Sequence, residues 1–267
     1  MTTESLTDGP LSKADLEQFH ERGYIKLRAW TTEESAKMEE AMWRALSRRG
    51  DVSRDDPSTW RKPKGVSRGL RSTRLFRDAI SQDFLATITQ LLGPNWIRPT
   101  DWGRTLYTFP SDEPWNVSWR QWHWHGSAVR NADTLSELTC FFFINRVVAR
   151  GGGTLLCGGS HRVVEKYLSE LTQEQREAKK KQVRTRFYKY DPWIKKLTKR
   201  DDTDPSRMRF MEEEAIVQGF PCRVFEATGE PGEAYITSGS LLHAVSRNCG
   251  DGPRFMRTVD IRLPFDA

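Results

Sequence analysis

Gln121-Trp122-His123-Trp124-His125-Gly126 is the stretch on which the reading of this chain turns. Along an extended strand, residues i and i+2 leave the backbone on the same side, so the rings of His123 and His125 project together from one surface. That is the presentation two ligands need to meet one ion. Only five histidines occur in 267 residues, and a third of interest, His243, stands in Ser240-Leu241-Leu242-His243-Ala244, just after a short apolar run and a Gly-Ser turn. Imidazole suits Fe, Zn, Cu and Ni alike, so donor type leaves the metal open. Taken alone, His243 reads as a satisfied core histidine and the His-Trp-His run as an aromatic barrel wall. Arg254 changes the balance. It follows His243 by eleven residues and opens the last alternating run, in which positions 254, 256, 258, 260 and 262 share one face. An inward arginine beside a metal clamps a carboxylate with two parallel hydrogen bonds; on the surface it would make an ordinary ion pair.

Around this centre the texture of the chain has two regimes. The first third reads as helical. Ser12 is a suitable N-cap and Gly23 a natural stop for a helix over 12–23, with Leu16 and Phe19 on one face. Residues 24–27 then form a short strand. A second helix over 32–49 aligns Met38, Met42 and Leu46, and a third over 81–92 aligns Phe84, Ile88 and Leu91. From about residue 96 short apolar or alternating runs are separated by Gly, Pro, Asn and Asp, the pattern of sheet and hairpin. Strands are expected at 102–109, 138–147, 154–157, 224–226, 234–236 and 255–263. Between them 165–209 reads as charged helix, with a capping box of Thr172 and Gln175 opening a helix over 172–181. The expected fold is mainly β with flanking helices: a jelly-roll, or double-stranded β-helix, in one domain over 1–267. Residues 11–94 would form the helical cover and first strands, 95–164 and 220–264 the jelly-roll core, and 165–219 a charged helical insertion or lid.

Composition excludes several function classes. Hydrophobic residues make up 37% of the chain and ten tryptophans are present, enough apolar volume for a core. No apolar run reaches the roughly 18 to 20 residues a membrane span needs, and Met1-Thr2-Thr3-Glu4 has neither the charge nor the hydrophobicity of a signal peptide. A cytoplasmic location without membrane contact is expected. The four cysteines, at 140, 157, 222 and 249, lack zinc spacing and read as free thiols. The net charge of +6 is local, because 174–209 alone holds 13 Lys/Arg against 6 Asp/Glu. That segment reads either as a solvated basic face or as a surface attracting an anionic substrate. No nucleic-acid module accompanies it, so nucleic acid is not the expected partner.

Four motifs, in order, carry a resemblance. They are Leu16-Glu17-Gln18-Phe19-His20-Glu21-Arg22-Gly23-Tyr24; Trp122-His123-Trp124-His125; Gly151-Gly152-Gly153-Thr154 through Gly158-Gly159-Ser160-His161; and His243, Asn248, Pro253 and Arg254. Together they resemble the phytanoyl-CoA dioxygenase family of Fe(II)/2-oxoglutarate oxygenases over about residues 11–263. The resemblance implies iron at one mouth of the barrel, chelated by 2-oxoglutarate, with O2 as the other substrate. It makes His123 and His243 ligands, Arg254 the clamp on the distal carboxylate, and Gln121 and Thr154 further cosubstrate contacts. It makes His161 a turn residue and leaves His20 facing solvent.

The chain departs from the family at His125, where the motif carries aspartate. Three histidines bring no charge to the ion, where two histidines and an aspartate bring one negative charge. Three arrangements stay open. His125 ligates and completes a neutral three-histidine site; it turns away and leaves a position free, as in related halogenases; or it is itself the first ligand, with Ser127 two residues on and His123 behind it. The expected activity is 2-oxoglutarate-dependent oxidation of a small organic molecule, anionic or aromatic, of the specialised-metabolite kind. Trp102, Tyr107, Trp122, Trp124 and Phe142 are available to line its pocket, and core packing is the competing assignment for each. Tyr188, Tyr190, Trp193, Lys189 and Lys195 would be the insertion's contributions. The rival functions are a three-histidine dioxygenase that needs no 2-oxoglutarate and a non-catalytic binding protein that keeps the fold.

Overall fold

The computed structural model describes residues 9–48, 52–60, 64–67, 69–125, 135–200 and 207–264. Helix α1 (Lys13–Arg22) starts at a reciprocal capping box between Ser12 and Asp15 and stops at Gly23, whose φ of 78° places it in the left-handed region that glycine adopts without strain. Strand β1 (Tyr24–Arg28) follows directly. Helix α2 (Thr32–Ser47) begins at a second box, Thr31 with Glu34, and buries the expected stripe of Met38, Met42 and Leu46. After β2 (Lys64–Ser67) and the short α3 (Arg74–Asp78), α4 (Gln82–Leu92) buries Phe84, Ile88 and Leu91. Strand β2 and helix α3 were not expected. Their short polar sequences show neither helical nor alternating periodicity, and pairing with a neighbour is what extends β2.

Two antiparallel sheets form the barrel. The larger takes β2 with β3 (Arg104–Thr108), β10 (Arg254–Arg262), β4 (Glu137–Phe143), β8 (Glu233–Ser238) and β1, in the order β1-β8-β4-β10-β3-β2. The smaller runs β6-β7-β5-β9, from β6 (Ala215–Val217), β7 (Phe220–Glu226), β5 (Leu155–Gly158) and β9 (His243–Ala244). This is the jelly-roll expected from the sequence. The strand expected over 138–147 ends at Phe143, and Val147 is left with an isolated bridge to Gly229.

Alternation assigns each face its partner. On one face of β4 and β10, Phe141, Phe143 and Met256 meet Leu156 of the small sheet inside the barrel. On the other, Leu138, Cys140, Phe142, Phe255 and Ile261 pack beneath α2 and α4. Burying such side chains from water stabilises by about 1.5–3 kcal/mol each, which commits each strand to one register.

The insertion is a run of short helices: α5 (Ser160–Ser169), α6 (Gln173–Glu177), α7 (Lys180–Phe187), α8 (Pro192–Thr198) and α9 (Arg209–Glu212). The capping box of Thr172 and Gln175 forms as expected, but the helix expected over 172–181 breaks at Ala178, whose ψ is 155°. The break gives α7 a direction of its own. Val163, Val164, Phe187 and Ile194 join Leu155, Cys157, Trp122 and Trp124 in one core against the small sheet.

Candidate metal centre

The three histidines are held by backbone pairing between segments far apart in sequence. His123 N–H donates to His243 O and His243 N–H to His123 O, both at 2.9 Å, and His125 N–H donates to Gly239 O at 3.1 Å. The expectation of a strand through 121–125 needs correction: His123 makes an isolated bridge with His243, and Gln121 has a φ of 64°. The turn at Gln121 lets its own carbonyl reach His123, which a straight strand would not. The i, i+2 geometry survives, with ring centres 5.0 Å apart for 123 and 125, 4.3 Å for 123 and 243, and 4.8 Å for 125 and 243.

Each ring is anchored through Nδ1. His123 Nδ1–H donates to Gln121 O at 2.7 Å, His243 Nδ1–H to Leu241 O at 3.0 Å, and His125 Nδ1–H to Asp260 Oδ1 at 2.6 Å. With the proton on Nδ1, each Nε2 offers a lone pair. The three ligand atoms lie within 4.8 Å of one another, and the Nε2 atoms of His123 and His125 face each other at 3.0 Å. Two acceptors at that separation repel unless an electrophile lies between them. Two imidazole nitrogens bound at right angles to an ion about 2.1 Å away are themselves about 3.0 Å apart. Burial keeps the rings of His123 and His243 neutral: it pushes the His123 pKa down to about 4, and that of His243 well below the usual histidine value. The donor set therefore fits a divalent transition metal at neutral pH.

Asp260 is the functional candidate that sequence reasoning passed over. Burial acts to raise its pKa, but the hydrogen bond from His125, a 2.9 Å hydrogen bond from Thr139 Oγ1 and the nearby Lys180 hold it below the usual aspartate value. The signal was present, since position 260 shares its face with Arg254.

Helix α7 supports the ligand segment from outside. Lys180 Nζ, Arg184 Nη2 and Tyr188 Oη, one turn apart on one stripe, donate to the carbonyls of His125, Trp124 and Trp122. Tyr188, Tyr190 and Trp193 are thus turned into the core of the insertion, where Tyr190 packs on Tyr167 and Trp193 on Phe210.

Arg254 is buried inside the barrel. Its Nη2 donates to Thr108 Oγ1, its Nη1 to the Met256 sulfur at 2.8 Å, and its Nε has no partner. No carboxylate pairs with it among the described residues, and burial draws its pKa down to about 10 against the opposing field of Glu226. A guanidinium so placed has the chemistry to hold an anion. Glu226 is engaged elsewhere, accepting from the backbone N–H groups of Arg150 and Gly153 at 2.5 and 2.8 Å and locking the glycine-rich turn. A Cβ at Gly153 would lie 2.1 Å from Ala227 O, so that turn needs glycine.

The aromatic candidates are taken up by the cores. Trp102 packs against Phe84 and Phe142 beneath the helical cover, with Tyr107 beside that core. Trp124 faces α7 and meets Phe187 edge-on. Trp124 stands between His123 and His125, and Tyr107 next to the inward Thr108, so each turns from the face its neighbours occupy. The Gln121 side chain is exposed and its carbonyl does the work; Thr154 is buried and its carbonyl accepts from Ala227 N–H. His161, second residue of α5 rather than part of a turn, is buried with its Nε2–H donating to His20 O at 3.0 Å, and His20 is exposed. Ser127 lies outside the described residues.

In overall structure the chain is similar to several solved proteins. It superposes on EctD from S. alaskensis with bound Fe at a TM-score of 0.54 and 15% identity, covering 96% of this chain and 78% of that one. The non-haem α-ketoglutarate-dependent carbocyclase SnoK from nogalamycin biosynthesis matches at 0.51 and 13%, covering 95% and 85%. The non-haem monooxygenase ThoJ in its apo form matches at 0.51 and 14%, covering 93% and 76%. No family model and no curated protein sequence matches the chain. No described helix is long and apolar enough to cross a membrane.

Proposed function

We propose that this protein is a mononuclear non-haem iron oxygenase of the phytanoyl-CoA dioxygenase type, using 2-oxoglutarate and O2 to oxidise a C–H bond of a small organic molecule. One observation carries the reading: three imidazole Nε2 atoms converge in the same barrel that holds Arg254, a buried guanidinium without a carboxylate partner among the described residues. The fold likeness to EctD, described with Fe and with 2-oxoglutarate and 5-hydroxyectoine, supports the same cofactor set.

When bound, iron with 2-oxoglutarate and O2 supplies the oxidising power that no amino-acid side chain has. The chain's residues do the rest. His123, His125 and His243 hold the ion through Nε2, and the acceptors on each Nδ1–H keep the rings in that tautomer. Arg254, steadied by Thr108, receives the distal carboxylate of the cosubstrate with its two η nitrogens. Phe141, whose ring centre lies 5.2 Å from that of His243, with Phe143, Leu156 and Met256, keeps water from the inner wall. The imidazole at position 125 fills the place a halogenase leaves for chloride, which counts against that activity.

A second reading has its own support. A donor set of imidazoles alone is also that of a dioxygenase whose substrate chelates the iron directly, with Arg254 gripping a substrate anion. The separating experiment reconstitutes the protein with Fe(II) and follows succinate release and O2 uptake in wild type and Arg254→Ala. Succinate formation that collapses in the variant is expected. O2 uptake independent of 2-oxoglutarate would favour the second reading, and absence of both metal affinity and O2 uptake would leave a binding protein.

A further inference from the structure

We propose that Asp260 supplies, through His125, the negative charge that the metal site lacks among its own ligands, acting as a positioning residue that raises affinity for a divalent ion. The inference rests on the proposed metal site.

Three neutral imidazoles bring no charge to a dication that gives up much of its water to bind them. The structure treats the three rings unequally. The Nδ1–H groups of His123 and His243 meet backbone carbonyls, whereas that of His125 meets a carboxylate. His125 is also the residue standing where the resembling family carries aspartate. At 2.6 Å the His125–Asp260 bond is charge-assisted, and a carboxylate on the far nitrogen makes imidazole a stronger donor at the near one.

Asp260 is placed to serve this end. It lies on β10 opposite Thr139 of β4, and the Thr139 hydroxyl donates to the same Oδ1 at 2.9 Å. The ammonium of Lys180 on α7 acts on it as well. Lys180 also donates to the His125 carbonyl, so ring and carboxylate are held from both sides of the ligand segment. A carboxylate one hydrogen bond behind the ligand ring leaves all remaining coordination positions free for cosubstrate and O2 while still contributing charge.

The test is Co2+ binding to purified full-length protein, read by calorimetry and by the visible absorption of the bound ion, in wild type, Asp260→Asn, His125→Asp and the double variant. Asp260→Asn is expected to weaken Co2+ binding ten- to a hundredfold, the usual effect of losing such a partner, and to shift the Co2+ spectrum. In the His125→Asp background, where the charge is restored directly, the same Asp260→Asn change should cost less than about threefold. A purely structural aspartate would cost the same in both backgrounds. Equal losses in the two backgrounds, or no loss in either, would overturn the relay while leaving the metal site standing. Failure of wild-type protein to bind Co2+ would overturn the metal site and the relay with it.

Discussion

The guanidinium carbon of Arg257 lies 5.2 Å from the centre of the Phe76 ring, in a box that Trp30 closes at 5.7 Å, and none of its three nitrogens has a hydrogen-bond partner among the described residues. It occupies the face of β10 opposite Arg254, beneath the helical cover, where burial pulls its pKa down to about 9. Buried charge without full hydrogen bonding is costly, and an apolar side chain of similar volume in its place is often neutral or stabilising by about 1–4 kcal/mol. Arg257→Met is therefore expected to raise the midpoint of urea unfolding at neutral pH. A lower midpoint would mean that attraction to the two rings outweighs desolvation.

Gly23 meets two constraints at once. Its φ is +78°, and a Cβ there would lie 2.4 Å from His161 Nδ1, so Gly23→Ala combines backbone strain with a clash against a buried ring. A loss of about 2–4 kcal/mol is expected. Gly219, at φ +90° with nothing within 4 Å of the same position, isolates the backbone part, and Gly219→Ala should cost only about 1–2 kcal/mol. Denaturant midpoints of the two variants measure the difference, and equal losses would remove His161 from the explanation.

Tyr188→Phe deletes one hydroxyl from the support behind the ligand segment. The lost bond to Trp122 O spans 2.5 Å, and its removal should weaken Co2+ binding by up to about tenfold while far-ultraviolet circular dichroism stays unchanged. Unaltered affinity would show that α7 does not position the histidines.

Glu165 of α5 should make stability depend on pH. Burial raises its carboxyl pKa to about 7, against the lowering effect of Arg162. A carboxyl whose folded pKa is raised binds its proton more tightly in the folded state. Its ionisation opposes folding increasingly from about pH 4.5 to about pH 7 and by a constant amount above. Glu165→Gln should accordingly raise the melting temperature at pH 8 and leave it unchanged at pH 4. An equal shift at both values would reject the assignment.

Much of this was legible in the chain. The Ser12 cap, the capping box of Thr172 with Gln175 and the stop at Gly23 depend on residues within one or two helical turns, so local chemistry decides them. The alternation in 254–262 placed Arg254 inside. Less legible was the sorting of aromatic residues. Trp102, Tyr107, Trp124 and Phe142 are as suited to a pocket as to a core, and packing against distant segments puts them in the cores.

What the sequence determined by itself was the donor inventory and its local geometry: two imidazoles at i and i+2, a third far downstream, and an arginine on an alternating strand. These follow from the period of extended backbone and the chemistry of the side chains. Only the tertiary structure decided that His123 bridges His243, that Asp260 meets His125 across 135 residues of chain, and that Arg254 finds no carboxylate among the described residues. The reason is physical. Hydrogen bonds and charge pairing between remote residues depend on sheet register, and register is set by the burial of many side chains together rather than by the residues that form the site.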